Sequence, residues 1–190
     1  DTGAMVAAMI KAKRAGSKSD IQRIIDTGID HIMNKQYRLK DRTLARNRPQ
    51  ANTLWLDDMF MSLPALAQMG KATGDNKYFD EVANQVLLFE KKMFNREKNV
   101  FMHGWVEGMA EHPEFSWARA NGWAFMTLAE VLDVMPESHP ERVKIVSLFQ
   151  RHAQGLASYQ SGSGFWHQLL DKSDSYLETS ATAIYAYAYA

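Results

Sequence analysis

The stretch Leu54–Met61 sets two adjacent carboxylates, Asp57 and Asp58, among apolar side chains. A carboxylate in apolar surroundings costs free energy unless it is paired, protonated or used in chemistry. Such surroundings can also keep a carboxyl group in the protonated form that a general acid requires. The alternative is that both are first-turn carboxylates that offset a helix dipole. We interpret Asp57 as the centre of an active site and Asp58 as its supporting neighbour.

Imidazole and indole rings recur at places that could bind a sugar. The motif His103-Gly104-Trp105 lies in a long polar segment, and the Gly and Trp beside the imidazole favour a binding loop over a structural histidine. Indole rings also serve sugar-binding sites as flat apolar platforms with a polar edge. The candidates for such platforms, or else for ordinary core residues, are Trp117, Trp123 and Trp166.

Arg119 stands in the apolar segment Trp117–Trp123 and needs an anionic partner there. Its planar guanidinium suits a carboxylate, which it can bind through two parallel hydrogen bonds. The partner is either the substrate or one of three carboxylates in the chain, Asp57, Asp1 and Glu178. Arg119 is therefore a candidate for binding an acidic ligand.

Composition excludes several classes of function. Lys+Arg and Asp+Glu both number 22, so the zero net charge gives no support for nucleic-acid or acidic-membrane binding. Cysteine is absent and the six histidines show no ligand spacing such as HExxH, so we expect neither a metal nor another cofactor. No apolar run approaches the roughly 20 residues that span a bilayer. The expected partner is a small ligand, and the oligomeric state stays open.

Helices that are apolar on all sides alternate with helices that bury one face. The apolar helices start near Asp1, Asp57, Trp117 and Glu178, which by subtraction are 56, 60 and 61 residues apart. This spacing is typical of a repeated helical hairpin, and period-two strand patterns are missing. We predict an all-α fold of inner and outer helices, either a closed α/α toroid or an open α-solenoid. Inner helix N-termini would gather at one end and favour an anionic ligand.

Local signals predict the boundaries of several elements. The apolar stretch Leu54–Met69 reads as one helix kinked at Pro64, and residues 95–116 read as a long loop. Residues 19–22 form the pattern of a capping box, and Asp75 is placed to cap the helix that follows it.

The chain begins at Asp1 without an initiator Met and stops at Ala190 inside an apolar run without a capping signal. We expect a single α/α-barrel domain over residues 1–190 that is an internal piece of a longer protein, cut at both ends. The compartment stays open between cytoplasm, periplasm and secretion, because a removed signal peptide leaves no trace.

These residues together resemble glycoside hydrolase family 105, the unsaturated rhamnogalacturonyl hydrolases, which is related to the unsaturated glucuronyl hydrolases of family 88. Within the match, Asn121-Gly122-Trp123 favours family 105 over family 88. The matching stretches follow the order of the family across the whole chain, at residues 1–3, 55–61, 103–105, 117–123 and 176–180.

The resemblance implies an (α/α)6 barrel without a metal. It implies removal of a 4,5-unsaturated uronic acid, expected to be galacturonyl, from the non-reducing end of oligosaccharides such as rhamnogalacturonan fragments made by a polysaccharide lyase. The family's essential Asp corresponds to Asp57, which would protonate C4 of the enol ether and then direct water to C5. Asp1, as a second site carboxylate, and four substrate-binding positions also correspond, at His103, Trp117, Arg119 and Trp123.

Two other functions remain open at this point. An ordinary inverting α/α-barrel glycosidase would use Asp57 together with Glu178 or Asp1 as its acid and base. A helical-repeat binding module would use the same surface without catalysis. In that module, replacing Asp57 by Asn would leave both ligand affinity and every assay unchanged.

Overall fold

The computed structural model describes residues 2–190, and Asp1 lies outside the described residues. A π-helical turn lies at His31–Lys35 and a 3-10 helix at Leu56–Met59. Across residues 2–190 the seven α-helices are α1 (Thr2–Arg14), α2 (Gln22–Asp30), α3 (Leu63–Thr73), α4 (Asn76–Met93), α5 (Ala118–Val134), α6 (Arg142–Ser158) and α7 (Thr179–Tyr189).

The helices form two layers, which confirms the predicted all-α architecture. Helix α1 packs against α3, α3 against α5, and α5 against α7, so the odd-numbered helices form the inner layer. Helices α2, α4 and α6 each pack on the inner helix that precedes them. In the inner layer, every residue of the segment 63–70 is buried, whereas outer helix α4 buries the predicted face that contains Phe79, Val82 and Val86.

The first and last helices of the inner layer are not buried on all sides, which differs from the prediction for inner helices. Met5 on α1 is 62% exposed and Tyr187 on α7 is 56% exposed. Both side chains lie on the first and last inner helices, each of which packs against a single inner neighbour in residues 2–190. None of the helices described has the length and apolar content needed to cross a bilayer.

Two small antiparallel sheets interrupt the segment that was predicted as a loop over residues 95–116. Strand β1 (Thr53–Trp55) pairs with β4 (Gly104–Val106), and β2 (Phe94–Asn95) pairs with β3 (Val100–Phe101). The prediction without strands is therefore wrong here, because strands of two or three residues are too short to show a period-two pattern.

The predicted single helix over Leu54–Met69 is wrong in its first half. That half consists of β1 and the 3-10 helix, and α3 begins at Leu63 with Pro64 in its first turn, where proline costs no hydrogen bond. The capping box at residues 19–22 is also wrong, since α2 begins after Ile21 without a side-chain cap. The cap at Asp75 is confirmed, because its side chain accepts a hydrogen bond from the Lys77 backbone N–H at 3.0 Å.

Gly155 on α6 allows close contact with the β2–β3 turn. A Cβ atom at this position would lie 2.2 Å from the backbone oxygen of Asn99, which itself has a left-handed φ of 53°. We expect Gly155→Ala to lower the free energy of unfolding by about 1–3 kcal/mol, because backbone must shift to admit the methyl group. Denaturant titration measures this, with Gly162→Ala as the matched control, since a Cβ there meets no atom within 4 Å. Equal losses in the two variants would contradict the packing argument.

Candidate active site

The ends of three inner-layer segments converge through a chain of side-chain contacts. Asp57 lies in the 3-10 helix before α3, while Trp117 and Glu178 are the N-cap residues of α5 and α7. The structure thus brings together three of the four predicted helix starts, with His103 of the β3–β4 connection between the first two, while the fourth, Asp1, lies outside the described residues.

Asp57 and His103 face each other. Strand β1 delivers Asp57 to this position, and the Leu56 backbone N–H donates a hydrogen bond to the His103 oxygen at 2.9 Å. Asp57 Oδ2 lies 3.3 Å from His103 Nδ1, and both atoms are buried without a hydrogen-bond partner among the described residues. A small rotation joins them, so a carboxyl group and an imidazole are placed to share or orient a proton.

Two indole rings fix the imidazole of His103. Its ring centroid is 4.9 Å from that of Trp117 in an edge-to-face arrangement and 5.6 Å from that of Trp55. The backbone N–H of His103 donates to the Phe115 oxygen at 2.8 Å. His103, Trp117 and Asp57 are therefore neighbours, as the predicted site requires.

Asp58 is neutralised by a partner that the sequence interpretation missed. Nε and Nη2 of Arg46 each lie 2.7 Å from one carboxylate oxygen of Asp58, and the guanidinium stacks 3.9 Å above the Trp55 ring. Hydrogen bonding to Asp58 raises the pKa of Arg46, against the opposing effect of burial. Asp58 is thus paired, while Asp57 keeps a carboxylate oxygen that is free of a cation. Arg46 stands 12 residues before Asp58 in the sequence, so only the fold reveals the pair.

Arg119 takes Glu178 as its partner, which is one of the partners that the sequence left open. The two lie 2.9 Å apart, and the guanidinium is 4.4 Å above the Trp117 ring. Glu178 also caps α7 by accepting from the Ala181 backbone N–H, and it accepts from the Ser180 hydroxyl at 2.7 Å. Both oxygens of Glu178 are therefore engaged, whereas the side chain of Arg119 is 37% exposed and can also reach a ligand.

Trp123 and Trp166 have different environments. Trp123 is half-buried, and its ring centroid lies 4.9 Å from that of Phe60, just after the 3-10 helix. Trp166 is 5% exposed and its indole N–H donates to the Leu156 oxygen at 2.7 Å. Its ring packs on Tyr185 in the second hydrophobic cluster. The structure therefore places Trp166 in the core, because a sugar platform needs an exposed ring face.

Two cavities lie near the Asp57–Asp58 turn: one is lined by Trp55 and His103, the other by Asp58, and Asp57 itself lines neither. One, of about 290 Å³, is lined mainly by apolar groups and includes the predicted binding motif; its lining includes Pro49, Trp55, His103, Trp105, Met109 and Phe115. The other, of about 630 Å³, is lined by Asp58 and by basic side chains, among them His31, Lys35, Arg46 and Arg48. The first cavity therefore offers apolar rings beside His103, and the second offers basic side chains beside Asp58.

The structure has an inner and an outer layer of helices, with a carboxylate, an imidazole and indole rings at the starts of the inner helices. This combination defines the class of carbohydrate-active proteins with an α/α-barrel fold. Similarity to known proteins identifies the family within this class. The sequence model of glycosyl hydrolase family 88 matches residues 1–190, and the chain belongs to that family. Its two helical layers correspond to about half of the (α/α)6 barrels of a possible family 105 member and of an unsaturated glucuronyl hydrolase.

The relatives are longer than this chain. The unsaturated rhamnogalacturonyl hydrolase YesR of Bacillus subtilis is 32% identical over 130 residues, which cover 68% of this chain and 38% of the relative. An unsaturated 3S-rhamnoglycuronyl hydrolase of Alteromonas sp. is 30% identical over 120 residues, covering 62% and 29%. A crystal structure of a possible family 105 member from Salmonella enterica matches with a TM-score of 0.85 at 27% identity, covering 96% of this chain and 50% of that one. The chain thus spans half or less of the length of these proteins.

Proposed function

We propose that the protein hydrolyses unsaturated uronides, removing a 4,5-unsaturated galacturonic acid from the non-reducing end of lyase-generated oligosaccharides. The observation that carries this proposal is the carboxylate of Asp57, which forms no ion pair with a Lys or Arg of residues 2–190 and faces His103 within a frame of indole rings. The names of the Bacillus and Alteromonas relatives, both hydrolases of unsaturated uronyl sugars, support the same substrate class.

One carboxylate is sufficient for this chemistry. The carboxyl group of Asp57 donates its proton to C4 of the enol ether, which leaves a cation at C5 stabilised by the ring oxygen. Asp57, now a carboxylate, accepts a proton from water as the water oxygen bonds to C5, and so recovers its initial form. The C5 hemiketal opens to a ketone, leaving a hemiacetal at C1 that expels the aglycone. His103, 3.3 Å from Asp57 Oδ2, orients the carboxyl group during both proton transfers.

The pairing of Asp58 and Glu178 argues against either of them as the second carboxylate of an ordinary inverting glycosidase, while Asp1, the other candidate, lies outside the described residues. Such an enzyme needs a second carboxylate that acts as a general base on water. Asp58 is held by both hydrogen bonds of Arg46, and Glu178 is occupied by Arg119 and the α7 cap. Of the carboxylates assigned to the site in the described residues, this leaves Asp57 for catalysis.

The apolar cavity and the partly exposed Arg119 suit the two parts of the substrate. The apolar cavity beside His103 suits the aglycone, because a 6-deoxy sugar such as rhamnose offers apolar C–H groups to indole rings. Arg119, stacked on Trp117 and partly exposed, is placed to bind the uronate carboxylate. These assignments retain the predicted roles of His103, Trp117, Arg119 and Trp123.

The test uses the protein in its full natural length and oligosaccharides made by pectin lyases or by glycosaminoglycan lyases. The conjugated double bond absorbs ultraviolet light, and we expect this absorbance to fall with time on rhamnogalacturonan fragments. Activity on glycosaminoglycan fragments alone would exclude the galacturonyl assignment and retain the reaction class. Binding of either substrate without any loss of absorbance would identify a binding module and overturn the proposal.

A further inference from the structure

The side chain of Asn121 on α5 holds the backbone of β3 at Phe101. Its Nδ2 donates to the Phe101 oxygen at 2.9 Å, and its Oδ1 accepts from the Phe101 N–H at 2.8 Å. Nδ2 also donates to the Trp117 oxygen at 3.1 Å. Asn121 is fully buried, so these hydrogen bonds do not compete with water.

The Phe101 backbone sets the orientation of this amide, and His152 on α6 adds a second hydrogen bond to its oxygen. His152 Nε2 lies 3.0 Å from Asn121 Oδ1, and burial lowers the pKa of His152 to about 3. The imidazole is therefore neutral, and because Oδ1 can only accept, Nε2 must be the protonated nitrogen. Edges and faces of Phe94, Phe101 and Phe125 surround the ring at centroid distances of 5.1–6.1 Å. If the Asn121 amide were flipped, its NH₂ group would face the N–H groups of Phe101 and His152, and neither hydrogen bond could form.

The Asn121 amide leads directly to the candidate active site. Phe101 is two residues before His103, and the His103 oxygen accepts from the N–H of Leu56, the residue before Asp57. At the same time Asn121 bonds the backbone of Trp117, whose ring packs on the imidazole of His103. One buried amide thus fixes, relative to one another, the segment that carries His103 and the helix start that supports its ring.

We infer that Asn121 is a positioning residue for the His103–Asp57 pair, and that His152 stabilises its amide by donating a second hydrogen bond to Oδ1. This inference rests on the proposed function, since the pair is catalytic only in that reaction. A displacement of about 1 Å at a catalytic group can cost roughly 100-fold in rate, so a clamp two residues away has a measurable effect on turnover.

The first experiment is a double-mutant cycle in the full-length protein. We expect Asn121→Ala to lower kcat about 100-fold with a smaller change in KM. In a His103→Ala background, the same substitution should lower kcat less than about 3-fold, because the group that it positions is already absent. An equal loss in both backgrounds would show that Asn121 acts independently of His103 and would overturn the inference.

Two variants at His152 test its role in a way that leaves the Asn121 side chain in place. His152→Phe keeps a ring among the surrounding aromatic side chains but removes the donor to Asn121, and His152→Gln restores a donor. We expect His152→Phe to lower kcat about 10-fold in a manner that depends on His103, and His152→Gln to recover most of that loss. Equal kcat values in wild type and His152→Phe would contradict the role given to His152.

The matched control is Arg142→Met; Arg142 is the first residue of α6 and its side chain bonds the C-terminal end of α5, opposite Asn121. Arg142 Nη1 donates to the backbone oxygens of Leu132 and Met135, both at 2.8 Å, so the variant also loses two bonds that fix the chain to this region. A lower Tm with unchanged kcat is expected. A fall in kcat equal to that of Asn121→Ala at the same loss of Tm would attribute the effect to stability alone and overturn the inference.

NMR of histidine imidazole groups separates this inference from the proposed function. We expect the His103 signals to shift and broaden in Asn121→Ala and to stay unchanged in Arg142→Met. If the wild-type protein leaves every unsaturated uronide intact, the proposed function fails, and these signals still decide whether Asn121 positions His103. Unchanged His103 signals in Asn121→Ala would refute the positioning role.

Discussion

Asp57→Asn is expected to lower kcat on unsaturated uronides by at least about 10³-fold, with a smaller effect on KM. The amide cannot donate a proton to C4 or accept one from water, so both proton transfers lose their group. Folding should persist, because Asp57 Oδ2 has no hydrogen-bond partner among the described residues and Asn has the same shape. Loss of ultraviolet absorbance over time measures the rate, and equilibrium binding of the uncleaved substrate to the variant measures the affinity.

The control for this variant is Asp75→Asn. Asp75 is the N-cap of α4, and its pKa is lowered by hydrogen bonds from Lys77, so it represents a carboxylate that serves only a helix start. Asn caps helices as well as Asp does, and the control should keep full activity. If Asp57→Asn retains wild-type turnover as well, Asp57 is another helix-start carboxylate and the proposed mechanism falls.

Hydrophobic patterning predicted the layers correctly because layering depends on local sequence. In the segment 118–134 apolar residues face all sides, and in α4 they occupy one face, which is what inner and outer positions require. The cap at Asp75 is likewise local, since its side chain bonds a residue two positions away. Such features need no knowledge of the rest of the chain.

Features that depend on distant partners escaped the sequence interpretation. Strand β1 exists because it pairs with β4 some fifty residues later, and no local signal distinguishes its three residues from the start of a helix. Among the tryptophans, residue type alone does not separate Trp166, buried against Tyr185, from Trp117, which packs on His103. The residue types of the candidate site could therefore be predicted from the sequence. Which individual residues lie in the site depends on packing between distant parts of the chain.

The Arg46–Asp58 ion pair gives the second large expected effect, here on stability. Asp58 is 9% exposed, so Arg46→Met leaves a carboxylate with little water and no cation, and it also removes the stacking on Trp55. We expect the free energy of unfolding to fall by about 2–3 kcal/mol, below the roughly 3–5 kcal/mol of a fully buried pair because the Arg46 side chain is 31% exposed. Urea titration measures the change.

A double-mutant cycle with Asp58→Asn tests this cause. If the loss in Arg46→Met comes from the unpaired charge of Asp58, then adding Asp58→Asn should recover at least about 1 kcal/mol, because the amide is cheaper to bury. Lys144→Met is the control, since the exposed pair of Lys144 with Glu141 should contribute no more than about 0.5 kcal/mol. Simple additivity of the Arg46 and Asp58 substitutions would mean that the pair does not stabilise the turn that carries Asp57. In that case the position of Asp57 would depend on the β1–β4 pairing and the Leu56–His103 hydrogen bond.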